Sequence, residues 1–397
     1  MNRRDWIRAT AAAAAAGFAP GFVGCGVRES GSGVDPEPTV RFPGKVEMRV
    51  INDRPPCLET PWRFYREDFT PNHAFYVRWH LQAFPTSIDL ASWRLRIGGN
   101  VERPLELSID DLKKMDRTTI AAVNQCSGNS RSLFQPRVTG AQWRNGAMGN
   151  AKWTGVRLRD LLKRAGLKAG AVDVVFDGLD EGPLPGVPDF LKSLKADHAL
   201  EAEPLVAFEM NGEPLPALNG FPARLVVPGW YATYWVKALT KIEVWDKSYD
   251  GYWMAKAYKI PANPRANESP DRLDAKIEPI NRLNVRSFFT SPDRGSIVVS
   301  GTPITLSGIA FDGGSGIKRV EVSFDDGRTW RETMLGEDHG RFSFRRWKLE
   351  WTPTEAGERK LLVRATNRSD ETQTADPIWN RGGFMRNVIE SLAVVVV

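Results

Sequence analysis

The chain contains few cysteines and histidines and, beyond its first 25 residues, no long hydrophobic run. Only 3 cysteines and 4 histidines occur among 397 residues, and no Cys-x-x-Cys-His motif is present. The sequence therefore offers no attachment site for a c-type haem. After residue 25 no apolar stretch approaches the roughly 20 residues that a membrane-spanning helix needs, so no such helix is predicted there.

A large excess of one charge is also absent. The formal net charge is +6, of which residues 1–25 contribute +2 through three arginines and one aspartate, leaving +4 for the rest. This small excess does not indicate nucleic-acid binding and is compatible with an acidic or locally acidic partner protein. The 27 prolines and 35 glycines predict many turns and short strands, and the length predicts two domains.

The first 25 residues have the features of an export signal. Arg3 and Arg4 precede an alanine-rich stretch at 9–19, which is typical of a twin-arginine signal and predicts a periplasmic protein. Residues 22–25 resemble a lipoprotein cleavage box with phenylalanine in place of the usual leucine, so a lipid anchor at Cys25 is left open. The Gly-, Ser-, Pro- and Glu-rich residues 26–43 predict a flexible linker.

Two regions of different periodicity follow the linker. Within residues 44–277 short strands alternate with helices, and segment 156–165 places apolar residues at helical spacing before a stop at Gly166. From residue 278 the pattern becomes the strict alternation of β-strands, with a bulge predicted at Gly308, where the apolar phase shifts by one. The sequence thus predicts an α+β protein that ends in an immunoglobulin-like β-sandwich over 278–397.

Two cysteines remain after the export signal, Cys57 and Cys126. In an oxidising compartment they could form a disulfide or be two independent buried thiols, and their spacing decides neither. Cys126 follows a β-like apolar run and lies in the short polar segment 124–131, which is suited to presenting a side chain into a cleft. Cys126 is therefore the first candidate for a functional thiol.

Several stretches, taken together, resemble the sulfite oxidase family of molybdopterin enzymes. They are NHAFYVRWH at 72–80, the cysteine segment at 124–131, GNAKWTGV at 149–156, EMNGEPLP at 209–216, NGFPARLVVPGW at 219–230 and YWVK at 234–237. The resemblance covers nearly everything from residue 73 onward, and the β-sandwich resembles the family's dimerisation domain. It implies a molybdopterin-binding catalytic domain over 44–277 and a dimerisation domain over 278–397.

The resemblance also implies roles for individual residues. Cys126 matches the single protein thiolate on molybdenum, since a soft, electron-rich ligand suits that metal. The residues implied in substrate binding and catalysis are Arg78, His80, Arg131, Trp143 and Tyr258. Arg78 and Arg131 correspond to positions that border the oxyanion pocket, where forked guanidinium donors suit the anion.

The remaining implied residues concern the pterin cofactor. Arg224 and Lys237 match residues that hold its phosphate, because a buried dianion needs fixed cationic donors. Asn219 stands where the vertebrate enzymes carry a histidine, which alters one contact. Asp180 and His80 complete the implied cofactor-binding set.

The function implied by the resemblance is molybdenum-dependent oxidation of sulfite to sulfate. Because the chain carries no haem, its electrons are expected to pass singly to an external c-type cytochrome, and a homodimer through the C-terminal domain is expected. Two alternatives are the molybdenum subunit of a sulfane-sulfur dehydrogenase and a non-catalytic surface binding protein. The latter would hold no molybdenum.

Overall fold

Short strands dominate the structure, as the many prolines and glycines predict. The computed structural model of the chain describes residues 39–397. The predicted export signal at 1–25, Cys25 and most of the predicted linker at 26–43 lie outside the described residues. The end of that linker, Thr39–Arg41, forms the first strand and pairs with the second.

The secondary structure consists of 25 strands, four short α-helices and five 3-10 helices within the described range. The strands are β1 Thr39–Arg41, β2 Glu47–Asn52, β3 Cys57–Glu59, β4 Val77–Arg78, β5 Leu95–Gly99, β6 Leu105–Leu107, β7 Arg117–Gln125, β8 Met148–Arg157, β9 Asp173–Asp177, β10 Lys192–Lys195, β11 Leu205–Met210, β12 Glu213–Pro214, β13 Arg224–Val226, β14 Lys241–Trp245, β15 Lys259–Pro261, β16 Ile277–Pro279, β17 Arg286–Ser291, β18 Ile297–Val298, β19 Ile304–Phe311, β20 Ile317–Ser323, β21 Arg331–Glu332, β22 Met334–Leu335, β23 Arg345–Trp351, β24 Gly357–Asn367 and β25 Glu390–Val396. The α-helices are α1 Ile109–Lys113, α2 Leu158–Ala165, α3 Ala196–Ala199 and α4 Tyr252–Ala255, and the 3-10 helices are Trp62–Arg66, Asn72–Ala74, Arg131–Leu133, Ala217–Asn219 and Ala232–Tyr234.

Three sheets and one hairpin make up the region before the sandwich. Their strand orders are β1-β2-β3-β4, β10-β9-β14-β5-β6 and β12-β11-β8-β7, with β13 paired to β11 and β15 paired to β16. All pairings here are antiparallel except that between β14 and β5. The candidate site residues lie near the ends of these strands, so the sheets fix their positions.

Helix α2 starts two residues later than the sequence predicts. Val156 and Arg157 instead complete β8, where they pair with Val206 and Leu205 of β11. The helix ends at Gly166 as predicted, because this residue adopts a φ of +72°, a conformation that glycine accepts without strain.

The C-terminal region is the predicted β-sandwich of two sheets, with strand orders β17-β19-β23-β22 and β18-β25-β24-β20-β21. Alternate residues of β20, among them Val320 and Val322, are fully buried in its core. The predicted bulge exists but lies in the partner strand. β19 pairs with β23 without a shift, whereas β17 carries the extra residue Thr290 opposite Ser307 and Gly308.

The sandwich packs against the region before it through a shared hydrophobic core. Phe288, Phe311 and Phe384 from the sandwich region join the same buried cluster as Tyr231 and Trp235. A second cluster, around Leu306 and Trp347, fills the sandwich itself. Across residues 39–397, none of the helices has the length and apolar character needed to span a membrane.

Candidate active site

A cavity brings together residues from five separate stretches of the chain, 76–80, 124–127, 218–224, 232–237 and 258. It is lined by Tyr76, Arg78, His80, Asn124, Cys126, Ser127, Leu218, Asn219, Arg224, Ala232, Thr233, Lys237 and Tyr258. Seven of the ten residues implied by the resemblance are among them. The fold therefore brings most of the predicted residues together around one cavity.

Cys126 is held in a tight turn at the end of β7. Its N–H donates to the Ala147 carbonyl at 2.9 Å, and its own carbonyl accepts from Asn129 N–H at 3.0 Å. Cys126 and Cys57 are both free thiols, so the structure contains no disulfide between them. The turn thus presents a single thiol, fixed by its backbone, to the cavity.

Arg78 and His80 reach the cavity from β4 and the residues that follow it. β4 pairs with β3 so that Arg78 lies opposite Cys57. Burial alone would lower the pKa of Arg78, but the adjacent Tyr258 hydroxyl and the thiols of Cys57 and Cys126 raise it. The guanidinium is therefore a permanent positive charge beside the candidate metal ligand.

His80 and Tyr258 form a hydrogen-bonded pair, with Nε2 and the hydroxyl oxygen 2.5 Å apart. Burial, reinforced by Arg78, Lys237 and Lys192, lowers the pKa of His80 well below its usual value, so the imidazole is neutral at pH 7. Burial raises the pKa of Tyr258, which keeps its hydroxyl protonated. Together they supply a neutral proton donor and acceptor in contact with each other.

The backbone of Tyr258 is strained. Its φ is +55°, the left-handed region that non-glycine residues rarely adopt. Its carbonyl accepts from Ile280 N–H at 2.8 Å, and the Phe384 ring stacks on that of Tyr258 at 5.5 Å and 14°. Strain of this kind costs about 1 kcal/mol or more and concentrates at functional sites.

The cations of this region are buried without acidic partners. Among the described residues, no carboxylate lies within 4.0 Å of six of them. They are Lys45, Arg78, Arg131, Lys192, Arg224 and Lys237. Several face aromatic rings instead, for example Lys237 over Trp79 at 4.7 Å and Arg224 over Trp153 at 5.0 Å. Buried charges without counter-ions are unfavourable, so this cluster fits an anionic ligand.

Arg224, Lys237 and Asn219 form one end of the cavity. Arg224 donates to the carbonyls of Asn219 and Trp235 at 2.8 and 3.1 Å, while its Nε has no partner within residues 39–397. The Asn219 amide is already used, because it accepts from Lys45 Nζ at 2.6 Å and donates to the Tyr76 carbonyl at 3.0 Å. Asn219 thus orients the cavity wall and brings the Lys45 charge close to it.

Five polar atoms of the cavity wall are buried and lack a hydrogen-bond partner among the described residues. They are His80 Nδ1, Asn124 Nδ2, Ser127 Oγ, Arg224 Nε and Thr233 Oγ1. Buried polar atoms are normally paired, so such a concentration indicates a polar group that is bound here. A phosphate-bearing, metal-chelating pterin fits this set, because it offers acceptors to the donors, negative charge to the cations and a metal to Cys126.

The other three predicted residues lie around the cavity rather than on its wall. Arg131 lies nearby, where burial lowers the pKa of its guanidinium and the neighbouring Cys126 and Tyr258 oppose that shift. Asp180 is buried within electrostatic range of Lys237; burial raises the pKa of Asp180 and Lys237 opposes that rise. Trp143 is fully buried in the main hydrophobic core, and its backbone carbonyl accepts from Ser132 N–H at 3.0 Å.

Sequence interpretation missed four residues that shape the site. Lys192 is fully buried with its ammonium over the Tyr234 and Tyr258 rings at 4.7 and 5.4 Å. Phe190 stacks on His80 at 3.6 Å. Lys45 supports Asn219, and Thr233 supplies an unpaired hydroxyl. Only Thr233 had a signal, since it directly precedes the YWVK motif.

Comparison with known proteins places the chain among molybdopterin oxidoreductases. Residues 81–253 match the family model of an oxidoreductase molybdopterin binding domain, and residues 277–396 match that of a Mo-co oxidoreductase dimerisation domain. Sulfite oxidase of Gallus gallus is 35% identical over 367 residues, covering 87% of this chain and 76% of that protein. The mitochondrial sulfite oxidase of Rattus norvegicus is 35% identical over 365 residues, covering 88% of this chain.

The chain spans 66% of the length of the rat protein. Among solved structures, the sulfane dehydrogenase SoxCD from Paracoccus pantotrophus has a TM-score of 0.72 at 24% identity, covering 94% of this chain and 93% of that one. That similarity shows a shared fold over nearly the whole chain. With the sequence identities and the two family matches, it establishes that this molybdopterin-binding chain belongs to the sulfite oxidase family of molybdenum oxidoreductases.

Proposed function

We propose that this chain oxidises sulfite to sulfate and passes the electrons singly to an external c-type cytochrome. The balanced reaction converts sulfite and water into sulfate, two protons and two electrons. The observation that carries the proposal is the single thiol of Cys126 facing a cavity of unpaired cations and unpaired polar atoms. The sulfite oxidases among the relatives support the choice of substrate.

The molybdenum cofactor, when bound, supplies the oxygen-atom transfer chemistry and accepts the two electrons. On the protein side, Cys126 would ligate the metal, and Arg224 and Lys237 would hold the pterin phosphate. Asn124, Ser127 and Thr233 have free polar atoms with which to bind the polar edges of the pterin.

Substrate binding is assigned to Arg78 and Arg131. Both guanidinium groups interact electrostatically with Cys126, which supports a role for their positive charges beside the candidate metal ligand. Such charges favour a sulfur oxyanion over a neutral substrate. The protonated hydroxyl of Tyr258 can donate a hydrogen bond to the anion and exchange a proton with His80.

The deciding experiment is sulfite-dependent reduction of cytochrome c by purified protein of measured molybdenum content. Ferricyanide in parallel separates failure of the acceptor from failure of the substrate. Rapid reduction of both acceptors supports the proposal. Reduction of ferricyanide alone would support sulfite as the substrate and would mean that cytochrome c is not the electron acceptor. Turnover with protein-bound sulfane sulfur but not with sulfite assigns the chain to the alternative activity, which is that of the similar SoxCD structure.

The oligomeric state and cellular location belong to the same proposal. The dimerisation-domain match at 277–396 supports a homodimer through the sandwich, which light scattering coupled to size-exclusion chromatography would test. Export by the twin-arginine route predicts that replacing Arg3 and Arg4 by lysine traps the protein in the cytoplasm. A mass increase that disappears with Cys25→Ala would show a lipid anchor.

A further inference from the structure

A turn from the sandwich region reaches the candidate active site and holds two of its residues. The carbonyl of Gly382 accepts hydrogen bonds from Arg131 Nε and Nη2 at 3.1 and 3.0 Å. The Phe384 ring lies 5.1 Å from the Arg131 guanidinium carbon and also stacks on Tyr258. One turn, residues 382–384, therefore contacts both a cation and the phenol assigned to substrate binding.

This turn is rigidly fixed to the catalytic region. Asn380 is completely buried, donates to the carbonyls of Ala266 and Phe384 at 3.0 and 2.9 Å, and accepts from Phe384 N–H at 3.0 Å. Arg381 forms a forked ion pair with the buried carboxylate of Glu268 at 2.6 to 3.2 Å. The turn is thus held at both its start and its end, independently of Arg131.

Three glycines surround the Arg131 side chain closely. A Cβ atom at Gly128 would lie 2.7 Å from Arg131 Cζ, and one at Gly140 would lie 2.8 Å from Nη1. A Cβ at Gly383 would lie 2.8 Å from Arg131 Cγ. A side chain at any of these three positions would force Arg131 to move, so the glycines leave the space in which the guanidinium lies.

The hydrogen bonds define which donors of Arg131 stay available. A guanidinium has five N–H donors. Nε and one N–H of Nη2 bind Gly382, and one N–H of Nη1 binds the Ala141 carbonyl at 3.2 Å. Two donors remain, one on each terminal nitrogen, and charge-assisted donors of this kind suit an oxyanion.

We infer that residues 382–384 of the sandwich region are a positioning element that orients Arg131 and Tyr258 toward the sulfur oxyanion. The sandwich then completes the active site in addition to any role in dimerisation. This inference rests on the proposed function for the identity of the anion. Its physical basis, the fixed orientation of Arg131, can be measured without turnover.

The first test compares Gly383→Ala with Gly301→Ala in the molybdenum-loaded protein. Gly383 and Gly301 both have positive φ, +58° and +77°, so both variants carry backbone strain. Only the Gly383 variant pushes on Arg131, because nothing lies within 4 Å of a Cβ at Gly301. We expect comparable losses of Tm. Only Gly383→Ala should weaken sulfate binding in calorimetry and raise the KM for sulfite, each by at least about tenfold.

The second test uses Phe384, in case Gly383→Ala does not fold. Phe384→Leu removes the ring that supports both Arg131 and Tyr258, whereas Phe384→Tyr keeps it. The expected result is weaker sulfate binding and a higher KM in Phe384→Leu, with both restored in Phe384→Tyr. A merely structural role would lower Tm in Phe384→Leu and leave the affinity for sulfate unchanged.

The outcomes separate this inference from the proposed function. If wild-type protein binds sulfate but does not oxidise sulfite, the substrate assignment is wrong, and sulfate affinity in the variants still decides the role of the turn. If Gly383→Ala and Phe384→Leu bind sulfate as tightly as Gly301→Ala and wild type, residues 382–384 do not position Arg131, whatever the turnover.

Discussion

In the β-sandwich, Arg286 is completely buried and paired with Glu390 at 2.8 Å. In the cavity, Arg224 is almost as deeply buried, yet no carboxylate among the described residues lies within 4.0 Å of it. The pattern extends to their neighbours. Glu390 also binds Arg386 at 2.6 Å, whereas Lys237 faces the Trp79 ring at 4.7 Å and has no carboxylate among the described residues within 4.0 Å.

Both regions thus contain buried cations, but those of the sandwich are paired with a carboxylate and those of the cavity are not. An ion pair formed within the chain contributes to the fold as soon as the chain folds. A buried cation without a partner destabilises the fold until an anion binds, so it contributes to ligand affinity instead. The difference teaches that the buried charge of the sandwich is compensated within the chain, while the cavity is built around a group that must be added.

The largest expected effect concerns the two thiols. Cys126→Ser should give folded protein whose activity falls by well over the ~100-fold typical of losing a group that only supports a metal ligand. Cys57→Ser is the matched control, because Cys57 is also a buried free thiol. We expect it to retain most activity. Molybdenum content and the rate of ferricyanide reduction are measured for both variants. An active Cys126→Ser protein would refute the assignment of Cys126 as the metal ligand.

The next effect tests the comparison of cations directly. Arg286→Met removes one partner of a buried ion pair and should destabilise the protein by about 3 kcal/mol. Lys237→Met removes an unpaired buried cation, so it should stabilise the cofactor-free protein by on the order of 1 kcal/mol and reduce its molybdenum content. Urea unfolding measures both. Equal destabilisation by the two variants would mean that Lys237 already has a compensating partner in the cofactor-free protein.

Parts of this architecture were predictable because they depend on local patterns. The alternation through Val320 and Val322 indicates a strand with one buried face, and the structure confirms it. The start of α2 was wrong because Val156 and Arg157 suit a strand end and a helix start equally well. Only their pairing with β11, distant in sequence, decides between the two.

The same division holds for the site. Residues inside continuous motifs, such as Arg78, Cys126 and Lys237, could be identified from the sequence and do line the cavity. Lys192 and the 382–384 turn could not, because their roles arise from tertiary packing alone. The contact between Arg131 and Gly382 joins residues 251 positions apart. Adjacent Gly382 and Gly383 were a signal of close backbone approach, but not of what they approach.

A smaller effect is expected from removing a tyrosine hydroxyl, and it should differ between the cavity and the hydrophobic core. Tyr258→Phe removes the contact with His80 in the cavity, and we expect turnover to fall by about tenfold, the equivalent of one hydrogen bond of ~1.4 kcal/mol. Tyr65→Phe is the control, since its hydroxyl donates to the Met148 carbonyl at 2.9 Å within the core. That variant should lose stability by about 1 kcal/mol and keep its turnover. Unchanged turnover in Tyr258→Phe and lower turnover in Tyr65→Phe would mean that the Tyr258 hydroxyl takes no part in the reaction.

The smallest effect is a pH dependence that exists only without cofactor. Burial, together with Arg224 and Arg78 and against the opposing charge of Asp180, lowers the pKa of Lys237 from 10.5 to about 7. Between these two pKa values the unfolded chain binds this proton more tightly than the folded protein does. The free energy of unfolding must therefore rise with pH through this window.

From pH 7 to pH 8 the Lys237 contribution to that rise should be on the order of 1 kcal/mol in cofactor-free protein. It is obtained as the difference between wild type and Lys237→Met in urea unfolding at both pH values, because Lys45 and Lys192 titrate equally in each. A bound phosphate would keep Lys237 protonated in the folded state, so the difference should vanish in cofactor-loaded protein. A difference that persists with cofactor would place the phosphate away from Lys237.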